Sequence, residues 1–129
     1  MRITNKLIVT EDNPAIRRKN VLAFYGNKST EAFNFIYKTL KDDPSCVIRH
    51  EASFILGSTK NKKAVKFLIE SILNDPSDLV RHESIESLGD LGFKTKNILS
   101  LLKKLSCDKN SIIRDTAVIA LETLKLQED

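Results

Sequence analysis

The chain has 129 residues, of which 41% are hydrophobic and 29% charged, and its net charge is +4. This length predicts a single domain with a buried core, and the composition is that of a globular protein, not a disordered one. No apolar run approaches the ~18 residues that span a bilayer, and the N-terminal apolar run is too short for a signal peptide. We therefore expect a cytoplasmic protein. Cys46 and Cys107 form no CxxC pair, and we interpret them as reduced residues of a helical interior.

A short block recurs four times along the chain, each copy beginning with Asp and having Arg six residues later. The copies are DNPAIRRKNVLAFYG from Asp12, DPSCVIRHEASFILG from Asp43, DPSDLVRHESIESLG from Asp75 and DKNSIIRDTAVIALE from Asp108. Their starts are 31, 32 and 33 residues apart. Asp, often followed by Pro, suits the cap and first turn of a helix, and the apolar residues that follow have helical spacing. Each block therefore predicts a helix.

Glycines in the first three blocks are predicted to end this first helix. They are Gly26, Gly57 and Gly89. A second apolar run with helical spacing follows each glycine and predicts a second helix. The predicted N-caps of these second helices are Ser29, Asn61 and Thr95.

Residues 4–10 are predicted to form a further helix before the first block, which brings the expected total to about eight helices. A two-helix unit of roughly 32 residues, repeated without any strand signal, predicts an all-α fold in which each unit buries its apolar face against its neighbours. The sequence therefore predicts a single α-solenoid domain of about four two-helix repeats over residues 1–129.

The only two histidines of the chain occupy the same position in adjacent repeats, and a glutamate follows each of them. They are His50, before Glu51, and His82, before Glu83. At 100° per residue, His50 lies about 200° round its helix from the apolar Ile48, so we predict that the pair faces away from the core. Neighbouring helices pack ~8–10 Å apart, so equivalent side chains of adjacent repeats can converge.

Two imidazoles and a carboxylate can share one metal ion, as in the two-histidine, one-carboxylate sites of non-haem iron. The alternative is that duplication of one ancestral repeat left two solvated His-Glu pairs. The flanking repeats have Lys19-Asn20 and Asp115-Thr116 at the aligned positions, which favours the metal-site hypothesis. Glu86, one turn after the second histidine, either joins the site from the next turn or faces solvent, and solvent exposure is the preferred interpretation.

Basic residues form two further patterns. Arginines that recur in phase with the block aspartates are interpreted as repeat-to-repeat structural bonds, and they are Arg49, Arg81 and Arg114. Lysines recur in the turns between paired helices, at Lys28, Lys60, Lys62, Lys63, Lys94 and Lys96. This edge is either a surface for an acidic partner or a solvated row of turns. Without tryptophan or interleaved aromatic residues, single-stranded nucleic acid is not an expected partner.

The stretch RHEASFILGSTKNKKAVKFLIESILNDPSDLVRHESIESLGDLG, followed by LSCDKNSIIRDTAVIALETLKLQ, resembles one half of deoxyhypusine hydroxylase, a HEAT-repeat di-iron monooxygenase. The resemblance implies iron as the cofactor, with His50, His82 and Glu83 as ligands and Glu51 as a catalytic residue contacting the substrate amine. Two irons in that family activate dioxygen to hydroxylate the deoxyhypusine side chain of translation initiation factor 5A.

The family enzyme joins two such halves in one chain, whereas this sequence has a single set of His-Glu motifs. We therefore expect two identical chains to complete the site as a homodimer holding two irons. A non-catalytic HEAT-repeat scaffold that binds other proteins is the alternative.

Overall fold

The structure is a computed structural model that describes residues 11–127. The helices in that range are α1 (Pro14–Leu22), α2 (Thr30–Asp42), α3 (Cys46–Ser58), α4 (Ala64–Asn74), α5 (Asp78–Leu91), α6 (Lys96–Leu105) and α7 (Ser111–Leu126). No strand occurs among these residues. The predicted helix over residues 4–10 lies outside the described residues. None of the seven helices has the length and apolarity required to cross a bilayer.

The helices form two layers. Helices α1, α3, α5 and α7 stack side by side in one layer, and α2, α4 and α6 form the other. Each helix of the second layer packs most extensively on the helix that follows it in sequence, α2 on α3, α4 on α5 and α6 on α7. The predicted all-α solenoid of two-helix repeats is therefore confirmed.

The core lies between the two layers, where aliphatic side chains from both are fully buried. Its largest members are Ile36, Ile48, Ile55, Leu56, Leu68, Ile72, Ile85, Leu88, Ile98, Leu102, Ile113 and Leu124. Burial of one such side chain contributes about 1.5–3 kcal/mol. This core fixes the rotation of α3, α5 and α7 and therefore the direction in which their remaining side chains point.

Two of the three predicted N-caps of the second-layer helices are confirmed. The side chains of Ser29 and Thr95 accept hydrogen bonds from the backbone of α2 and α6. The prediction for Asn61 is wrong, because α4 begins later and has Lys63 at its N-cap position. The Asn61 side chain instead accepts a 2.9 Å bond from the Lys63 backbone N–H, which closes the turn before the helix.

Two of the glycines predicted to end helices lie inside them. A Cβ at Gly57 would come within 2.8 Å of the Ser87 Cβ, and one at Gly89 within 3.1 Å of the Ala120 Cβ. These glycines permit α3, α5 and α7 to approach one another closely. The residue that caps the end of α5 is Gly92, whose φ of +79° favours glycine.

Arginine–aspartate pairs join the early repeats. Arg17 Nε lies 2.9 Å from the Asp43 carboxylate, and Arg49 Nε lies 2.9 Å from that of Asp75. The interpretation of Arg49 as a repeat-to-repeat bond is confirmed. Because Arg17 takes the matching place in the first block, the alignment through Arg18 is one residue out of register.

The two later arginines do not reach the next repeat. Arg81 donates a 2.8 Å bond to the Ile72 carbonyl, and Arg114 donates a 3.4 Å bond to the Asp108 carbonyl. Arg81 nevertheless joins two repeats, because Ile72 lies on α4 of the preceding unit, so the interpretation as a repeat-to-repeat bond is confirmed for Arg81 and wrong for Arg114.

The cysteines are free thiols, but neither lies in a helical interior. Cys46 is the first residue of α3 and is half-buried, and Cys107 is exposed beyond the end of α6. The prediction of an interior position is wrong because both lie at helix ends.

Candidate metal centre

Both histidines lie between stacked helices of the first layer. His50 projects from α3 and His82 from α5, and their side chains are 26% and 30% exposed. Glu83, also on α5, has a side chain that is only 12% exposed, because α3 packs over it. The prediction that the motifs face away from the core therefore holds for the histidines and is wrong for Glu83.

The Nδ1 atom of His50 is buried without a hydrogen-bond partner, and it is the only such side-chain atom among the described residues. It points at Glu83, with 3.6 Å between Nδ1 and Oε2. That distance is longer than a hydrogen bond. Buried polar atoms are almost always partnered, so an unpartnered nitrogen facing a carboxylate has the character of an open binding position.

A second set of ligand atoms lies on α5 itself. One ligand atom each from His82, Glu83 and Glu86 lies within 4.8 Å of the others. His82 Nε2 is 3.6 Å from Glu86 Oε1. Glu83 thus lies beside both histidines. Glu86 is exposed, as predicted, yet its carboxylate belongs to this cluster.

Two donor pairs have separations that suit a metal ion, although His50 lies beside Glu83 and outside the group formed by His82, Glu83 and Glu86. Histidine nitrogen and carboxylate oxygen bind first-row metals at about 2.0–2.2 Å, so two ligands of one ion at bond angles of 90–120° are about 3.0–3.6 Å apart. Both the His50–Glu83 and the His82–Glu86 separations, at 3.6 Å, reach that range. Imidazole with carboxylate is a donor set suited to iron.

Electrostatics at Glu83 favour a cation. Burial is the main cause that raises the pKa of this carboxyl above its ordinary value, and the negative charge of Glu86 raises it further. The positive charges of His50 and His82 lower it and partly offset these effects. A carboxylate whose ionised form is disfavoured in the folded protein gains most from a bound cation.

The fourth predicted site residue, Glu51, has a different partner. Its Oε1 lies 3.0 Å from Nε of Arg18 on α1. Arg18 occupies the position in its repeat that His50 has in the next, since Arg17 matches Arg49. Arg18–Glu51 and His50–Glu83 are thus equivalent contacts, and His82 with Thr116 on α7 forms a third. We call these three cross-repeat contacts rungs.

Exposed apolar side chains flank the histidines on the same helical faces. Val47 precedes His50 by three residues and Phe54 follows it by four, so all three share one face of α3. Val47 is 48% exposed and Phe54 is 42% exposed. Leu79, Ile112 and Ile119 continue this apolar border on α5 and α7.

Sequence reasoning missed Arg18 and Thr116. The one-residue register error aligned Lys19, and not Arg18, with His50. Thr116 aligns with Glu51 and Glu83, and from the sequence it is only a residue that departs from the His-Glu motif. An alignment on Arg17 and Arg49, which share the same spacing to an aspartate, would have identified Arg18.

The lysine edge shares no residue with the metal centre. Lys60 donates a 2.8 Å bond to the Asp90 carbonyl. A cavity of about 340 Å³ opens beside it, and its basic lining residues are Lys28, Lys63 and Lys66. Both interpretations of this edge, a surface for an acidic partner and a solvated row of turns, stay predictions.

Comparisons with known proteins agree with this architecture. The HEAT-repeat model matches residues 5–89 and again 70–129. A solved structure of human deoxyhypusine hydroxylase in complex with glycerol matches with a TM-score of 0.82 and 25% sequence identity, over 93% of this chain. The match covers 41% of the human chain, so this chain spans less than half of that enzyme's length. No curated protein sequence matches significantly.

The resemblance to one half of deoxyhypusine hydroxylase is therefore confirmed at the level of the fold. Since the repeat model covers almost all residues, the chain belongs to the HEAT-repeat family.

Proposed function

We propose that this protein is an iron-binding monooxygenase of the deoxyhypusine hydroxylase type, which hydroxylates a lysine-derived side chain of a protein. The observation that carries the proposal is the unpartnered, buried Nδ1 of His50, which faces Glu83 at 3.6 Å beside the cluster of His82, Glu83 and Glu86. Structural similarity to an enzyme of this type over 93% of the chain supports it.

His50, His82 and Glu83 would hold the iron, and Glu86 lies close enough to His82 and Glu83 to join them. Iron bound there would supply the activation of dioxygen. The chain's own contribution is to exclude water on one side and to orient the ligands, because α3 and α5 pack tightly around Glu83. Glu51 would bind the cationic amine of the substrate, and Arg18 holds that carboxylate in place.

Two copies of the chain would complete the site. Two irons require two sets of ligands, and this chain holds one set. The exposed Val47, Phe54 and Leu79 border the histidines, and a second copy placed on this face would remove them from water. The human enzyme is more than twice as long as the stretch it shares with this chain, which supports pairing of two such units.

The translation initiation factor 5A carrying deoxyhypusine is the substrate to test first. Protein purified without chelators and loaded with Fe(II) is incubated with that substrate and oxygen, and the product is examined by mass spectrometry. The proposal predicts the mass gain of one oxygen atom on the modified lysine, absent with His82→Ala. A protein that cannot take up Fe(II) would instead favour the scaffold function.

A further inference from the structure

Thr116 makes two short contacts with its single hydroxyl group. Its Oγ1 lies 2.6 Å from the carbonyl oxygen of Ile112, one turn earlier on α7. The same Oγ1 lies 2.7 Å from Nδ1 of His82 on α5. Thr116 is only 5% exposed, so water does not compete with either contact.

Each of these contacts requires a hydrogen between its two heavy atoms, because lone pairs at such distances repel. The carbonyl oxygen of Ile112 carries no hydrogen, so the Thr116 hydroxyl must donate to it. No hydroxyl hydrogen then remains for His82. The hydrogen in the second contact therefore belongs to Nδ1 of His82, which donates to Thr116.

This arrangement determines which nitrogen of His82 can bind a metal. In a neutral imidazole with its proton on Nδ1, the lone pair is on Nε2. Nε2 is the atom that lies 3.6 Å from the Glu86 carboxylate, within the cluster. Metal-bound histidines usually donate their other ring N–H to a fixed acceptor, which orients the ring and sets the tautomer.

We propose that Thr116 is a positioning residue that keeps the proton of His82 on Nδ1 and so presents Nε2 to the metal. This inference deepens the proposed function and rests on it for the identity of the bound cation. Without the hydroxyl, the proton could move to Nε2, where Glu86 would accept it, and the metal-binding lone pair would be lost.

The test compares Thr116→Val, which removes the hydroxyl at similar volume, with Thr116→Ser, which keeps it. Thr123→Val is a matched control, because Thr123 makes the same type of bond to the carbonyl one turn earlier on α7 but is exposed. Nitrogen-15 spectra of the metal-free proteins, at a pH where histidine is neutral, report the tautomer of each ring. Signals of His82 are assigned by their loss in His82→Gln.

We expect wild type, Thr116→Ser and Thr123→Val to show protonated Nδ1 at His82, and Thr116→Val to lose that pattern. In anaerobic titrations with Fe(II) and a competing chelator, Thr116→Val should bind about 10–100-fold more weakly, as for loss of other such partners. The Thr123→Val control should bind Fe(II) as tightly as wild type does.

A Thr116→Val protein that keeps both the tautomer and the affinity would overturn the inference, as would a wild type with its proton on Nε2. If the wild-type protein binds no Fe(II), the proposed function is refuted instead. The nitrogen-15 spectra of the metal-free proteins then still show whether Thr116 sets the tautomer of His82.

Discussion

Two sets of contacts join adjacent repeats, and they differ in how well their polar atoms are satisfied. In the arginine–aspartate set, Arg49 contacts the Asp75 carboxylate through two nitrogens, at 2.9 and 3.2 Å, and also the Asp43 carbonyl. In the histidine–glutamate rung, His50 faces Glu83 at 3.6 Å and Nδ1 has no hydrogen-bond partner.

The difference separates a structural contact from a binding position. The hydrogen bond that Arg49 donates to Asp75 is the main cause that raises the pKa of Arg49, so this contact stabilises the charged guanidinium. At Glu83 the raised pKa shows that the charged form is disfavoured, because burial makes the ionised carboxylate unfavourable. The arginine–aspartate contacts therefore stabilise the stacked repeats, whereas the His50–Glu83 contact has the properties that the proposed metal site requires.

Breaking the structural contact should produce the largest loss of stability. Arg49→Ala leaves the Asp75 carboxylate buried without its cation, and we expect a loss of about 3 kcal/mol in the free energy of unfolding. Urea denaturation measures it. Arg18→Ala is the control, since its 52% exposed side chain predicts a loss below ~1 kcal/mol. Equal losses in both variants would contradict the comparison.

Removal of a histidine should weaken metal binding and leave the helical fold unchanged. His82→Ala deletes a proposed ligand from a partly exposed position, so we expect Fe(II) affinity to fall more than ~100-fold while the helical circular dichroism is unchanged. Anaerobic titration with Fe(II) measures the affinity. Iron occupancy equal to that of wild type would refute the ligand assignment.

The pH dependence of the metal-free protein tests the state of Glu83. A carboxyl whose pKa is raised on folding binds more protons in the folded state, so its contribution to stability is greatest at low pH and falls as pH rises above the ordinary value of 4.5. Glu83→Gln removes this effect. We therefore expect the metal-free variant to be more stable than wild type at pH 7 and to lose less stability between about pH 4.5 and 7.

Unfolding curves of both proteins across that pH range make the comparison. Parallel pH profiles would show that Glu83 ionises without penalty. The same variant should lose Fe(II) binding, because the amide that replaces the carboxylate is a neutral and weaker ligand.

Substitution of Glu51 should have the smallest effect on stability and on metal binding. Its contact with Arg18 is partly exposed, so Glu51→Ala should cost less than ~1 kcal/mol and keep most of the iron. Its proposed role in binding the substrate amine predicts lost turnover, which mass spectrometry of the hydroxylated product measures. Loss of iron as severe as in His82→Ala would make Glu51 a metal ligand.

Much of the fold is predictable from the sequence because the same helix-forming block recurs four times. Apolar residues at helical spacing are local signals, and they predicted every helix among the described residues. The prediction that the block aspartates cap these helices is wrong, because the N-caps are Asn13, Ser45, Ser77 and Asn110. The roles of Gly57 and Gly89 were not predictable in the same way. A glycine after an apolar run indicates a helix end, and only the approach of Ser87 and Ala120 from neighbouring helices reveals packing instead.

The contact between His50 and Glu83 follows from repetition only in part, since repetition brings the two motifs together but His50 contacts Glu83, one position beyond its equivalent His82. The partners of Glu51 and His82 depend on the rotation of α1 and α7, which tertiary packing determines. Arg18 is therefore assigned correctly only once Arg17 is seen to bind Asp43. Thr116 has no motif of its own, and its role follows from two interatomic distances.

The central claim is that two identical chains together form an iron site of the deoxyhypusine hydroxylase type. Light scattering combined with metal analysis tests it most directly on Fe(II)-loaded protein at tens of micromolar. The account predicts a mass twice the 14.6 kDa of one chain, with about one iron per chain. A monomer that holds no iron would contradict it.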